Sequence, residues 1–175
     1  MNIIITAIGG KDRPGIIAAL TKAVYEIGGN LDDVTMTRLR GAFANMIAAT
    51  LPDGATVAQL EAILAPVSAS LDLHVAVYEI PDDAEEAEVN ADHIISVYGA
   101  DQPGIVHTIT SLLAERGANI TDLDTRVAGA PGRPVYVMLI QTAGGDWETL
   151  PDHLSNAAKK LGVDVSSREI ETETL

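Results

Sequence analysis

Two short polar stretches of the chain combine residue types that can hold a small carboxylate. The first is Gly10-Lys11-Asp12-Arg13-Pro14-Gly15, and the second is Gly99-Ala100-Asp101-Gln102-Pro103-Gly104. Each follows a short apolar run and precedes an amphipathic segment, which predicts a strand, a turn and a helix. A turn that leads into a helix leaves backbone N–H groups free at the helix N-terminus, and these groups attract carboxylates. The pattern therefore predicts a binding site for a small carboxylate.

The two stretches belong to an internal repeat with an offset of 89 residues, the separation of Asp12 and Asp101. At the same offset, Gly28-Gly29-Asn30-Leu31 aligns with Gly117-Ala118-Asn119-Ile120. A repeat of this length predicts two domains of about 80 residues each. We place the first domain over residues 1–81 and the second over 93–175, with an exposed acidic linker over 82–92.

Apolar periodicity predicts the element order β-α-β-β-α-β in each domain. The predicted strands cover residues 3–8, 31–40, 43–51 and 73–80, then 94–98, 120–127, 134–142 and 163–170. The predicted helices cover residues 16–27, 57–67, 105–113 and 147–161. Pro14 is expected in the first turn of its helix, and Pro66 is expected to bend or shorten the second helix. This order is typical of the α+β ferredoxin-like fold, in which two helices cover one face of a four-stranded antiparallel sheet.

Composition and charge exclude several classes of function. The 175 residues carry a net charge of −14, and no Lys or Arg cluster is present, which argues against direct binding to nucleic acid. No apolar run reaches the roughly 20 residues of a membrane span. The sequence has no cysteine, so disulfides and thiol catalysis are excluded, and its start lacks the pattern of a signal peptide. We therefore expect a cytoplasmic protein.

The other candidate chemical groups do not form a catalytic pattern. The four histidines lack the spacing of a metal site, and Gly9-Gly10-Lys11 lacks the frame of a phosphate-binding loop. No Ser, His and Asp set indicates a triad. The sequence predicts that the protein is not an enzyme and has no metal or other cofactor.

The repeated D-x-P-G-I turn, followed downstream by G-x-N-[LI], resembles the ACT domain, a small regulatory fold that senses amino acids. The resemblance covers residues 3–80 and again 93–170. Two tandem copies resemble the glycine cleavage system transcriptional repressor family, which is thought to act on a DNA-binding activator rather than on DNA. The resemblance therefore implies a small amino acid as effector, with glycine as the first candidate, and a protein partner.

In ACT domains the effector lies between two domains, held by the turn and by the downstream Asn. This implies ten ligand-binding residues: Asp12, Arg13, Pro14, Gly15, Asn30, Asp101, Gln102, Pro103, Gly104 and Asn119. Their chemistry suits an amino acid, because the Asn amide can donate and accept while the Asp carboxylate can face an ammonium. The alternative is a scaffold role, in which each Asp caps a helix and each Asn is a turn residue.

Three functions remain open at this point. The first is an amino-acid-responsive protein that controls a transcription factor by contact, and the second is a subunit that confers amino-acid feedback on a metabolic enzyme. The third is a dimerisation module without a ligand, and we expect a homo-oligomer in any case. The first turn is expected to be the better site, because Lys11 and Arg13 add cations there and Gly29 leaves more room than Ala118.

Overall fold

The computed structural model describes residues 1–81, 89–129 and 134–170. Most of the predicted linker, the tip of the second hairpin and the polar tail lie outside the described residues. The chain divides into two compact units, Met1–Glu86 and Ala87–Leu175. Each unit has the predicted α+β fold, which confirms the ferredoxin-like arrangement.

The first unit contains four strands and two helices. They are β1 (Asn2–Gly9), α1 (Ile16–Glu26), β2 (Asn30–Leu39), β3 (Ala42–Thr50), α2 (Val57–Leu71) and β4 (Leu73–Ile80). The sheet order is β2-β3-β1-β4 and all neighbours are antiparallel. Along β1 and β3 every second residue is buried, which is the pattern of a sheet covered on one face. Ile3, Ile5 and Phe43 lie on this inner face.

The second unit repeats the architecture. Its elements are β5 (His93–Gly99), α3 (Ile105–Glu115), β6 (Asn119–Ala128), β7 (Val135–Ala143), α4 (Leu150–Leu161) and β8 (Val163–Glu169). The antiparallel sheet order is β6-β7-β5-β8. Ile95, Val97 and Ile140 are fully buried on its inner face.

The strand register corrects the alignment of the two turns. Gly9 pairs with Phe43 and Leu73, whereas Gly99 pairs with Tyr136 and Val163. A Cβ on Gly9 would lie 2.6 Å from the Leu73 side chain, and one on Gly99 would lie 2.6 Å from Val163. Gly9, not Gly10, is therefore the equivalent of Gly99, and the first turn is one residue longer than the second.

The helices differ from the prediction at Pro14, Pro66 and Trp147, besides shifts of one or two residues at the ends of α1 and α3. Gly15 is the N-cap of α1, so Pro14 precedes the helix instead of lying in its first turn. Helix α2 continues through Pro66 to Leu71, so the proline does not shorten it. Helix α4 begins at Leu150 and not at Trp147. The Trp147 ring stacks on His93 with centroids 3.7 Å apart, and its N–H donates to the Gly144 carbonyl, which holds this segment in a turn.

Among the described residues, no helix is long and apolar enough to cross a membrane.

Candidate functional site

The turn between β1 and α1 presents an uncapped helix N-terminus. Gly15 occupies the N-cap with φ 97° and ψ −10°, and no side chain makes the capping hydrogen bond there. Gly104 repeats these angles before α3, again without a side-chain cap. The interpretation of Asp12 and Asp101 as helix caps is therefore wrong. The first backbone N–H groups of each helix face away from the body of the helix without a capping side chain, as a carboxylate site requires.

Glycine is required at these N-caps by backbone conformation. A Cβ on Gly15 or Gly104 would meet no atom within 4 Å, so space is available for a side chain. The positive φ is the constraint, because side chains with a Cβ disfavour this region. Pro14 and Pro103, the residues before these glycines, have φ fixed by their rings and so narrow the conformations of the turn.

Asp12 forms an ion pair at the end of the sheet where β1 and β2 finish. Its Oδ2 lies 3.2 Å from Nε of Arg38, which is near the end of β2. The Arg38 side chain is 63% exposed, so the ion pair alone stabilises the fold by only about 0.2–1 kcal/mol. The guanidinium therefore lies beside the turn while most of it still faces solvent.

Arg13 and Gln102 make the same contact in their two units. The Arg13 guanidinium donates to the carbonyl of Leu71, the last residue of α2. The Gln102 amide donates to the carbonyl of Leu161, the last residue of α4. Carbonyls at a helix C-terminus have no partner within the helix, so both side chains tie the turn to the second helix of their unit, α2 or α4. Each residue therefore has a structural role beside any contact with a ligand.

Asp101 has a different environment from Asp12. The equivalent of Arg38 is Val127, since Arg38 pairs with Phe43 and Val127 pairs with Tyr136. Burial raises the pKa of the Tyr136 hydroxyl, and the nearby Asp101 carboxylate raises it further. Asp101 thus lies beside a neutral phenol, and no described Lys or Arg forms an ion pair with it.

The two asparagines lie at the opposite end of the sheet from the turns. Asn30 pairs with Thr50 at the start of β2, whereas the turn follows Gly9, which pairs with Phe43. Seven residues along β3 correspond to about 24 Å. Asn119 and its turn have the same separation, since Asn119 pairs with Ala143. Within one unit, an amino acid can therefore contact the turn or the asparagine but not both.

Asn30 is engaged in a local hydrogen-bond chain. Its Nδ2 donates to Oδ1 of Asp32 at 2.9 Å, and the Thr50 hydroxyl donates to the other Asp32 oxygen at 2.8 Å. These side chains are exposed, so their hydrogen bonds can rearrange when a ligand binds. Asn30 is the first residue of a strand, so the interpretation of Asn30 as a turn residue is wrong.

The space beside Gly29 is filled. A Cβ there would lie 2.9 Å from Val24 Cγ1 and 3.0 Å from Leu51 Cδ2. In the second unit Ala118 is buried, and its Cβ packs against Gly145. The exchange of glycine and alanine is therefore a difference in core packing, and the expectation that Gly29 leaves more room for a ligand is wrong.

Sequence reasoning missed Arg38 and the two helix-end carbonyls. Arg38 belongs to no motif in the sequence, and its partner Asp12 is 26 residues away. The available signal was topological: β1 and β2 lie on either side of β3, and both end at the same end of the sheet. With Arg38 included, the first turn has three nearby cations, Lys11, Arg13 and Arg38, where the second has Ala100, Gln102 and Val127.

Comparison with known proteins gives a family and a set of relatives. The family model of the ACT domain matches residues 2–78 and 92–168. A UPF0237 protein of Methanopyrus kandleri is 41% identical over 76 residues, covering 41% of this chain and 80% of the relative. A crystal structure of an unknown protein from Galdieria sulphuraria superposes with a TM-score of 0.78 at 24% identity, covering 97% of this chain and 98% of that one.

A second solved structure has a similar fold over its whole length. It is a candidate glycine cleavage system transcriptional repressor, with a TM-score of 0.69 at 19% identity and 98% of each chain covered. At this identity the likeness shows a shared fold of two tandem domains.

Proposed function

Because this chain belongs to the ACT domain family of regulatory domains, we propose that it is an amino-acid-responsive regulator that acts on a protein partner. The observation that carries the proposal is the first turn. It combines an uncapped helix N-terminus with Lys11, Arg13 and Arg38, in a chain of net charge −14. Local positive charge on an acidic protein favours a small anion, and an amino acid offers a carboxylate of suitable size.

The ligand's ammonium group has an acceptor at the same place. The Asp12 carboxylate is partly exposed beside the turn and keeps accepting capacity besides its pair with Arg38. Arg38 can in turn contact the ligand carboxylate through its unused N–H groups. Small effectors such as glycine fit this arrangement best, because turn, Asp12 and Arg38 lie close together.

We further propose that the regulated process is transcription of the glycine cleavage type, by contact with a DNA-binding activator. The shared tandem fold with a candidate repressor of that system supports this assignment. The acidic charge supports action through a protein rather than on DNA, since phosphate repels the chain. We place this activity in the cytoplasm, carried out by a homo-oligomer that does no chemistry of its own.

The test is a thermal-shift screen of the full chain against each of the twenty amino acids, with acetate and methylammonium as controls. Ligand at 100 times its Kd should stabilise the folded state by about 2.7 kcal/mol. We expect a shift with glycine or another small amino acid and none with either control. If no amino acid shifts the melting temperature, the proposal is wrong.

A further inference from the structure

Asn45 is a polar residue buried in the core of the first unit. It lies on β3 between Phe43 and Ile47, on the face that the helices cover, and it is 2% exposed. Its Nδ2 donates to the Thr35 carbonyl at 2.8 Å. Its Oδ1 is buried as well and has no hydrogen-bond partner among the described residues. Because the Thr35 carbonyl can only accept, the orientation of the amide is fixed, and the oxygen is the unpaired atom.

The second unit has an apolar residue at the equivalent position. Met138 is the counterpart of Asn45, since each lies two residues beyond the partner of the glycine that ends the first strand of its unit. Met138 is fully buried. An unpaired buried acceptor destabilises the folded state, because folding removes the water that hydrated it. The fold accepts an apolar side chain here, so the amide of the first unit is not explained by packing.

Asn45 lies one step along the sheet from the first turn. Arg38, which is paired with Asp12 of the turn, is opposite Phe43, two residues before Asn45 on β3. Two residues along a strand correspond to about 7 Å. The carboxylate and the ammonium of an amino acid are a few ångströms apart, and a hydrogen bond at each end adds about 3 Å. A ligand whose carboxylate is bound beside Arg38 can therefore present its ammonium at the level of Asn45.

The neighbour of Asn45 on its open side is a flexible residue of an edge strand. All ten residues of β2 are exposed, so the helices leave this strand uncovered. Met36 is directly opposite Asn45 on β2 and is 48% exposed. A methionine side chain is unbranched, with three rotatable bonds, and adapts to different neighbours. We expect rotation of the Met36 side chain to open the Asn45 oxygen to a ligand at the turn.

We propose that Oδ1 of Asn45 accepts a hydrogen bond from the ammonium group of the amino acid bound at the first turn. This inference rests on the function proposed above and adds a binding residue to it. An ammonium group has three N–H donors, so it can bond to Asp12 and to Asn45 together. The bound amino acid then supplies the donor that the buried oxygen lacks in the free protein.

The test is calorimetric titration of the full chain with each of the twenty amino acids, for wild type, Asn45→Ala and Asn45→Met. Both variants should bind the amino acid about 10–100-fold more weakly than wild type, because a charged hydrogen bond in a site shielded from water is lost. Asn45→Met copies the second unit but adds volume, whereas Asn45→Ala removes the oxygen without adding atoms. Melting temperatures without ligand show that each variant is folded.

Thr142→Val is the matched control. Thr142 is fully buried in the second unit, and its Oγ1 has no hydrogen-bond partner in the described part of the chain. It pairs with His93, at the opposite end of the sheet from the second turn. This variant removes a buried unpaired oxygen at a place remote from both turns, so the affinity for the amino acid should not change.

The outcomes separate this inference from the proposed function. If no amino acid binds to wild type, the proposed function is wrong and the role of Asn45 is wrong with it. If wild type binds an amino acid and both Asn45 variants bind it as tightly, the function stands and the role of Asn45 is overturned. A loss of affinity in Thr142→Val as large as in the Asn45 variants would also overturn it.

Discussion

At the residue scale, the two turns end in the same N-cap conformation and differ in charge. Gly15 and Gly104 have the same φ and ψ, and the side chains of Arg13 and Gln102 reach equivalent carbonyls. The exchange of Arg13 for Gln102 therefore preserves the hydrogen bond to the end of the second helix of the unit and removes a cation. Apart from the extra residue of the first turn, the difference between the turns is therefore in electrostatics.

Arg13→Gln should therefore keep the stability of the first unit, whereas Arg13→Ala should lower it. Loss of the hydrogen bond to the Leu71 carbonyl should reduce the free energy of unfolding by about 0.5–1 kcal/mol, since the contact is exposed. Urea denaturation of the two variants beside wild type measures this. Equal stability of the Ala and Gln variants would show that the hydrogen bond to the Leu71 carbonyl adds nothing to the free energy of unfolding.

Asp92 provides a pH-dependent contact at the start of the second unit. Its slight burial acts to raise its pKa, but hydrogen bonds from the His93 ring and the Gly144 N–H hold the pKa of the carboxyl below its ordinary value. Because the folded pKa lies below the unfolded one, the ionised Asp92 carboxylate stabilises the folded state. This stabilisation is fully present above the unfolded pKa of about 3.8. It is lost as the pH falls through the folded pKa.

Asp92→Asn should lower the free energy of unfolding at pH 7 by about 0.5–1 kcal/mol after solvent screening, and less at pH 3. The stability of the variant should therefore fall less steeply with acid than that of wild type. Trp147 is the only tryptophan and stacks on His93, so its fluorescence reports unfolding of this unit. If the free energy of unfolding of the two proteins changed with pH in the same way, Asp92 would not be a source of the pH dependence.

At the element scale, the sequence predicted every strand and helix of the described residues, because apolar periodicity and the repeated glycines are strong signals. The start of α4 was placed three residues early, although Pro151 in the first turn indicates a helix start near Leu150. The contact that overrides the pattern, Trp147 on His93, joins residues 54 positions apart and could not be read from local sequence. The separation of Asn30 from the turn follows from the predicted topology itself.

Close packing of α1 against the start of β2 requires Gly29. Gly29→Ala would place its Cβ against Val24 and Leu51 and should destabilise the first unit by about 1–3 kcal/mol. Gly10→Ala is the control, because a Cβ at Gly10 would meet no atom within 4 Å and its φ is not positive. In thermal unfolding, only Gly29→Ala should have a lowered melting temperature. Equal melting temperatures for the two variants would refute the packing argument.

Pro66 interrupts the hydrogen bonding of α2 at an exposed position. A proline there removes the N–H that would bond to the Ala62 carbonyl. Pro66→Ala should stabilise the first unit by up to about 3 kcal/mol, measured by urea denaturation. A destabilised variant would show that the proline conformation is needed by the fold.

At the scale of the whole molecule, the two units share one fold and differ in the charge of the turn before their first helix. The turn of the first unit has Lys11, Arg13 and Arg38 beside it, whereas the turn of the second unit has Asp101 and no Lys or Arg at the equivalent positions. The sequence could predict the asymmetry of the turns from Lys11 and Arg13. It could not predict that Arg38 lies beside Asp12, because this contact depends on the order and register of the strands.

The central claim is that the first turn binds the carboxylate of an amino acid with the help of Arg38. Calorimetric titration of the full chain with the amino acid that gives the largest thermal shift tests this claim most directly. Arg38→Val, which copies the second unit, should weaken binding about 5–10-fold, because a partly exposed charged hydrogen bond is lost. Val127→Arg, the reverse change at the equivalent position, should leave the affinity of the first turn unchanged. An unchanged Kd for Arg38→Val, or no binding heat with wild type, would contradict the account.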